Sequence, residues 1–245
     1  MCLLCKSFYC LLLMKRYKDL FFDLDDTLWD FERNSEETLK ELYHRFLAQE
    51  LGEENCTLFL STYHRINESL WNEYKLNRIK KTEVAYLRFL YTLEESGSNN
   101  VSLARILAEE YIRSSPTKTN LIPGATEVLE SLNREYKLHI ITNGFTEVQI
   151  PKLLNSGIRH YFTTLTTSEE AGCLKPCSQI FSFALEKAKA QINQSLMIGD
   201  DPEGDIRGAR QIGLDTVFFV KDSKNLQIES TYTIFELREL LQILS

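Results

Sequence analysis

Tyr17–Leu24 reads YKDLFFDL and runs straight into Asp25-Asp26-Thr27. A short apolar run that ends in acidic residues is the pattern of a buried parallel strand whose carboxyl end meets a site. The ninety-odd residues that follow contain no comparable run. Their apolar residues recur instead at helical spacing: Leu39, Leu42, Tyr43 and Phe46; Leu58, Phe59, Tyr63 and Ile66; Leu87, Phe89, Leu90 and Leu93; Leu103, Ile106, Leu107 and Tyr111. Breaks at Gly52, Asn77 and Gly97–Asn100 divide the stretch into about four helices.

Beyond Pro116 and LIPG (Leu121–Gly124) the style changes to strict alternation. The pattern predicts helix Thr126–Asn133, strand Lys137–Thr142, helix Phe145–Asn155, an extended piece Tyr161–Thr167 and helix Ser178–Lys189. Strand Ser195–Gly199, helix Asp205–Ile212, strand Thr216–Val220 and a last helix Ile234–Leu244 complete it. Strands alternating with helices imply an α/β fold, a Rossmann-like parallel sheet covered on both faces. The expected organisation is an α/β core of 15–30 and 118–245. Into it, after the first strand, a four-helix-bundle segment of 31–117 is inserted as a lid-sized domain. Its hinges fall near Trp29–Arg33 and Ser114–Pro123.

The chain has 245 residues, with 28 Lys+Arg against 35 Asp+Glu and a net charge of −7. That length suits a main domain carrying a smaller inserted one. The acidic balance excludes a broad phosphate-binding surface, so a nucleic-acid polymer is not an expected partner. No apolar run reaches the roughly 20 residues of a membrane span. The start, MCLLCKSFYCLLLM, lacks a basic leading region and a small-residue cleavage site, and Lys6 interrupts it. Residues 1–14 therefore read as an extension ahead of the domain, with Met14 as a candidate start. Of six cysteines, Cys2, Cys5 and Cys10 fall in that extension, and Cys56, Cys173 and Cys177 show no paired framework. A reduced, cytoplasmic setting is expected. Cys2/Cys5 and Cys173/Cys177 have spacings a zinc site could use, but neither has a second pair or a nearby histidine to complete four ligands.

Ligands of open parallel sheets bind beyond the carboxyl ends of the strands. After the first strand stand Asp23, Asp25, Asp26 and Thr27; after the second, Thr142, Asn143 and Gly144; after Leu196–Ile198, Gly199, Asp200 and Asp201, with Asp205 further on. Lys175-Pro176 opens a helix between them. Singly, each such residue is at home as a helix cap or turn. Gathered together, Asp23, Asp25, Asp200 and Asp201 or Asp205 would repel one another without a counter-charge. Hard carboxylate oxygens converging on one point are what Mg2+ accepts, with waters and a substrate phosphate completing its octahedron. Lys175, the Thr142 hydroxyl and the free N–H groups of the helix starting near Phe145 would favour a phosphoryl group there.

The segments DLDDT (Asp23–Thr27), ITNG (Ile141–Gly144), LKP (Leu174–Pro176) and GDDPEGD (Gly199–Asp205) resemble the four ordered motifs of the haloacid dehalogenase (HAD) superfamily. The match runs from Tyr17 to about Val220, and the inserted helices resemble that superfamily's helical cap. The resemblance implies that Asp23 is the nucleophile that captures phosphorus as an aspartyl-phosphate. It implies that Asp25 protonates the leaving oxygen and then deprotonates the hydrolytic water. Asp23, the backbone carbonyl of Asp25 and Asp200 would hold Mg2+, with Asp201 or Asp205 assisting; these two stay undecided. Thr142, Asn143 and Gly144 would bind phosphate or orient the nucleophile, and Lys175 would neutralise charge on both. Dehalogenases of the superfamily lack an acid two residues after the nucleophile, because a leaving halide needs no proton. Asp25 therefore points to a phosphatase.

Within the superfamily, ITNGFTEVQIPKLLNSGIRHYFTTLTTSEEAGCLKP, DLDDTLWDF and LWNEYKLNRIKKTEVAYLRF are similar to the YjjG-type branch of pyrimidine nucleoside 5′-monophosphate phosphatases, linked to removal of altered nucleotides. Cys173 and Cys177 depart from that branch's expected small apolar residue and Asn. The resemblance implies a 5′-nucleotidase acting on a small phosphomonoester. A sugar-phosphate or phosphoglycolate phosphatase is the alternative, and a non-catalytic binding protein on the same scaffold a distant one. Substrate selection is expected in the cap, where Trp71, Asn72, Tyr74 and Arg78 are candidates, although aromatics at helical spacing also read as bundle core. Trp29 and Phe31 read as hinge packing, and Phe145 as a contact candidate. His44, His64, His139 and His160 join no cluster. Nothing fixes an oligomeric state, and a monomer is compatible with all of it.

Overall fold

The computed structural model describes residues 17–221 and 228–245. The extension 1–14, with Cys2, Cys5 and Cys10, lies outside the described residues. Strands β1 (Asp19–Phe22), β2 (Lys137–Thr142), β3 (Phe162–Thr167), β4 (Ser195–Gly199), β5 (Asp215–Phe219) and β6 (Tyr232–Ile234) form one sheet in the order β3-β2-β1-β4-β5-β6. Every pairing is parallel. β1 and β4 are buried along their whole length, which is why they read as unbroken apolar runs rather than alternating ones. Phe21, Ile141 and Met197 pack with Ile180, Phe181 and Ala184 of helix α9 (Ser178–Ala188) and with Ala209 and Leu214. A fully buried side chain of this kind contributes about 1.5–3 kcal/mol.

Register decides where the chemistry falls. Phe22 stands level with Ile140 on one side and Ile198 on the other, and the Asp23 N–H still donates to the Ile198 carbonyl at 2.9 Å. The residues that follow β1, β2 and β4 thus emerge together at one edge of the sheet, on either side of its central strand.

Contacts divide the chain into two compact units: the described residues of 1–29, 121–146 and 157–245, and those of 30–120 and 147–156. The first unit carries the sheet with α6 (Ala125–Leu132), α8 (Ser168–Ala171), α9, α10 (Gly208–Gln211) and α11 (Leu240–Ile243). The second carries α1 (Phe31–Phe46), α2 (Ala48–Leu51), α3 (Cys56–Lys75), α4 (Lys81–Glu95) and α5 (Val101–Ser114). Most of α7 (Thr146–Asn155), in the stretch after β2, groups with these helices. Their apolar stripes close on Leu39, Tyr43, Phe59, Tyr63, Phe89, Leu107 and Tyr111. Asp30 caps α1 through the Arg33 N–H, and Asn100 caps α5 through the Leu103 N–H. Asn34 bonds both backbone groups of Asn120, N–H and C=O, at 3.1 and 2.8 Å, tying the two ends of the insertion together.

Three elements differ from the sequence reading. Tyr17–Leu24 pairs only over Asp19–Phe22, because Leu24 turns the chain: its carbonyl accepts from both Leu28 and Trp29 at 3.0 and 2.9 Å. Asp205–Ile212 is not one helix but a π-helical turn, Pro202–Arg207, followed by α10. The expected last helix Ile234–Leu244 is instead β6, a short 3-10 turn Leu237–Glu239 and α11. Tyr232-Thr233-Ile234 is a β-branched and aromatic triplet with the open edge of β5 available to it, and that pairing outweighs helical periodicity. His139 is enclosed between Thr164, at 2.8 Å, and Asp19, at 3.3 Å, with Phe21 stacked on its ring.

Candidate active site

Lys175 is at the centre of the sheet edge. It is 3% exposed, and its Nζ donates to Asp23 Oδ1 at 2.5 Å, to Asp205 Oδ1 at 2.5 Å and to the Ile141 carbonyl at 3.0 Å. All three donors of the ammonium are thereby used, each on a different strand-end segment. Burial alone would lower its pKa, but the Asp205 and Asp23 carboxylates outweigh burial and raise it, so the group stays charged.

Asn143 holds that lysine in place. Its Oδ1 accepts from the Lys175 N–H at 2.7 Å and its Nδ2 donates to the Lys175 carbonyl at 3.1 Å. The carboxamide is engaged at both ends, so Asn143 acts here on the lysine loop. The Thr142 hydroxyl oxygen accepts from the Gly144 N–H at 3.0 Å. The Thr146 N–H of the first turn of α7 donates to Glu169 at 2.8 Å, so that expected phosphate donor already has an acceptor. Phe145 is buried.

Carboxylate oxygens of Asp23, Asp200 and Asp205 lie within 4.8 Å of one another. Asp25, half-buried in the turn that follows β1, does not place its carboxylate in this group. Because the Leu24 carbonyl is taken by Leu28 and Trp29, it is not the one available to a cation. Asp200 accepts from the Thr27 hydroxyl at 2.8 Å. Its pKa is pushed up to about 8 by burial, then by Asp205 and Asp26, against the pull of Thr27 and Lys221. Burial raises Asp23 and Asp205 as well, with Lys175 opposing in both.

Asp201 and Asp205 face different partners. Asp201 caps the π-helical turn, accepting from the N–H groups of Glu203 and Gly204 at 3.1 and 3.0 Å. Asp205 faces inward, with Oδ1 on Lys175 and Oδ2 accepting from the Asp201 N–H at 3.1 Å. Two contributors carried no role in the sequence reading. Thr27 orients Asp200, and its place in the D-x-D-x-T run was the available signal. Gly199 opens the GDDPEGD run, but its reason lies in the fold: a Cβ there would stand 2.2 Å from Asp205 Oδ2. Gly199→Ala is expected to displace Asp205, lowering stability by about 1–3 kcal/mol and phosphatase activity with it. Thermal melts and turnover of the purified variant check this, and an unchanged pair of values would contradict it.

Other candidates lie elsewhere. Trp29 is fully buried and bridges the backbone of Asp25 and Leu121. Trp71 and Tyr74 pack partly buried on Ile66, Leu70 and Val84 within the helical unit. Cys56, Cys173 and Cys177 are free thiols. Burial, together with the neighbouring Cys177, pushes the Cys173 thiol up to about 11.

The donor set fits a hard divalent cation: with all three carboxyls ionised, the state a bound cation favours, they outweigh the one ammonium by two negative charges, all on oxygen. A parallel sheet whose neighbouring strands deliver these carboxylates to a buried lysine is an arrangement suited to a cation and a phosphoryl group held together. The chain belongs to the haloacid dehalogenase-like hydrolases, whose family profile matches residues 17–213. It is 32% identical to the HAD-hydrolase YfnB of Bacillus subtilis over 238 residues, 95% of this chain and 97% of that one. The crystal structure of YfnB bound to magnesium superposes with a TM-score of 0.81 at 30% identity, covering 94% of this chain and 99% of that one. Pyrimidine 5′-nucleotidase YjjG of Escherichia coli is 32% identical over 92% of this chain and 96% of its own. Glyceraldehyde 3-phosphate phosphatase of Pyrococcus furiosus is 30% identical over 94% of each chain. The protein is a phosphoric monoester hydrolase of this family. Among the described residues no helix is long and apolar enough to cross a membrane.

Proposed function

We propose that the protein is a Mg2+-dependent 5′-nucleotidase that hydrolyses pyrimidine nucleoside monophosphates through an aspartyl-phosphate on Asp23, as a cytoplasmic house-cleaning enzyme. The observation that carries the chemistry is the state of the Asp23 carboxylate. One oxygen is fixed by Lys175 at 2.5 Å, while the other accepts no hydrogen bond among the described residues. That second oxygen attacks phosphorus in line, and the bond from phosphorus to the ester oxygen breaks as Asp25 gives that oxygen its proton. Asp25, now a carboxylate, takes a proton from water. The hydroxide attacks the acyl-phosphate and returns free Asp23 and inorganic phosphate.

Lys175 offsets charge on Asp23 and Asp205 throughout. Asn143 keeps its backbone still, and Thr142 and Gly144 contribute the neighbouring phosphate-binding turn. Asp23, Asp200 and the backbone of Asp25 would hold Mg2+, with Asp205 acting through its neighbours. Bound there, Mg2+ supplies positive charge to the phosphoryl oxygens. The helices of 31–117 are the cap, and base selection belongs to them, with Trp71, Asn72, Tyr74 and Arg78 as candidates.

The substrate reading is supported by the similarity to YjjG. The similarity to a glyceraldehyde 3-phosphate phosphatase at a comparable level favours a second reading, a small sugar-phosphate phosphatase with the same core. A phosphate-release panel with Mg2+ separates them. UMP, dUMP and dTMP are expected to turn over at least about tenfold faster, in kcat/KM, than phosphoglycolate, glyceraldehyde 3-phosphate and hexose phosphates, a gap of about 1.4 kcal/mol. The reverse order would replace the nucleotidase with the sugar-phosphate reading. A strong chelator is expected to stop turnover of every substrate, and undiminished rates without metal would remove Mg2+ from the scheme.

A further inference from the structure

Cys173 and Cys177 bracket Lys175-Pro176, at the two positions that depart from the YjjG-type pattern. Both are free thiols, Cys173 half-buried and Cys177 exposed. Cys173 packs against the core cluster of Ala171, Ile180 and Phe181. Cys177 is the N-cap of α9 and its side chain makes no capping hydrogen bond, so neither burial nor capping accounts for a cysteine there. The Cys177 N–H closes the turn on the Leu174 carbonyl at 2.9 Å. The Cys177 thiol and the Ile180 N–H in the first turn of α9 both hydrogen-bond the Cys173 sulfur. The two sulfurs therefore lie side by side.

The segment between the two thiols is the one that delivers the lysine. Lys175 Nζ is fixed on Asp23, Asp205 and the Ile141 carbonyl, and Asn143 clasps its backbone. A covalent S–S bond is shorter than any contact between two thiols. Forming one draws positions 173 and 177 together and moves the Lys175 backbone between them against the Asn143 clasp. A displacement of about 1 Å in a positioning group can cost about 10²-fold in rate.

We propose that Cys173 and Cys177 are a modification site, where a peroxide forms a reversible disulfide that slows phosphate release by displacing Lys175. The exposed Cys177 sulfur meets the oxidant first. It attacks one oxygen of hydrogen peroxide, the O–O bond breaks, and the departing hydroxide takes the Cys177 proton as water, leaving a sulfenic acid. Cys173, whose pKa burial and then Cys177 push up to about 11, keeps its proton until it attacks that sulfur. The S–O bond then breaks, and its hydroxide leaves with the Cys173 proton as a second water. The thiols lose two electrons and two protons in all, and the peroxide is reduced to two waters. A reducing dithiol reverses the bridge by exchange. This rests on Lys175 being part of the phosphatase site, whichever phosphomonoester is the substrate.

The test exposes the full chain to a small molar excess of hydrogen peroxide, then follows peptide mass and activity together. Trypsin does not cut ahead of Pro176, so both thiols fall in one peptide, 160–187. That peptide is expected to become two hydrogens lighter, and Mg2+-dependent release of phosphate from p-nitrophenyl phosphate at least about tenfold slower. Dithiothreitol should restore both. Cys173→Ser and Cys177→Ser are expected to keep the turnover of the reduced protein and to lose the peroxide response, which separates this pair from Cys56 and the cysteines of the extension. A peptide of unchanged mass, one that gains oxygen instead of losing hydrogen, or a disulfide formed with turnover undiminished overturns the proposal. So does inactivation retained in both serine variants. Reduced protein that releases no phosphate would tell against the phosphatase reading, while the peptide mass still reads the disulfide.

Discussion

Asp23→Asn is expected to lower phosphate release by at least about 10⁴-fold while the protein stays folded. The neutral amide is a poor nucleophile toward phosphorus and cannot yield the acyl-phosphate. It can still accept the Lys175 hydrogen bond through its Oδ1, so the local frame keeps its connection. Stability should hold or rise, because burial already drives the Asp23 carboxyl well above the usual carboxylate range. Removing the charge relieves that strain on the fold. Steady-state phosphate release, circular dichroism and a thermal melt read the three parts together. Acid quenching of wild type with labelled substrate should trap a phosphoprotein, and the variant should give none. Full activity in Asp23→Asn would mean that water attacks phosphorus directly and that the proposed covalent route is wrong.

Lys175→Met should be the most destabilising single change at the site. The lysine is buried between Asp23 and Asp205, themselves buried. Removing one partner of a buried charge cluster leaves the others uncompensated, at a cost of about 3–5 kcal/mol. For a chain of this size that corresponds to a Tm lower by about 6–20 °C. The Ile141 carbonyl loses its donor as well. The sign of the pH dependence follows from the carboxyls that remain. Both Asp23 and Asp205 have pKa values raised above their ordinary ones, and loss of the ammonium raises them further. The folded variant then binds protons that the unfolded chain releases, so its deficit shrinks as pH falls below neutrality. Wild-type and variant melts compared at neutral and mildly acidic pH measure this. A deficit under about 1 kcal/mol, or one that grows on acidification, would contradict the buried-cluster account.

The sequence by itself determined the class of fold. The apolar runs that became β1, β2 and β4 are buried on both faces, and a strand with no solvent face writes itself as a continuous hydrophobic stretch. The helical insertion was legible for the opposite reason: its stripes at Leu39, Tyr43, Phe59, Phe89 and Leu107 face one shared interior and repeat with the helical period. The candidate site was legible as three strand-end segments and one lysine loop, because acidic residues after two buried strands beside a buried lysine need a common cause. Weakly patterned pieces were not. Tyr232–Ile234 is too short to show a period, and only the open edge of β5 makes it a strand.

What the tertiary structure alone decided is which atoms meet. Asp201 and Asp205 are equivalent by type and neighbourhood, yet the π-helical turn directs one to its own backbone N–H groups and the other to Lys175. Asn143 was a phosphate-binding candidate by position, and it became the residue that clasps Lys175 because two distant loops converge. The need for glycine at position 199 exists only because Asp205 Oδ2 would lie 2.2 Å from a Cβ there. Periodicity reports which face of an element is buried, since burial acts on each residue locally. Direction and partner of a polar side chain are set by the register of strands far apart in the chain, and no local pattern encodes that distance.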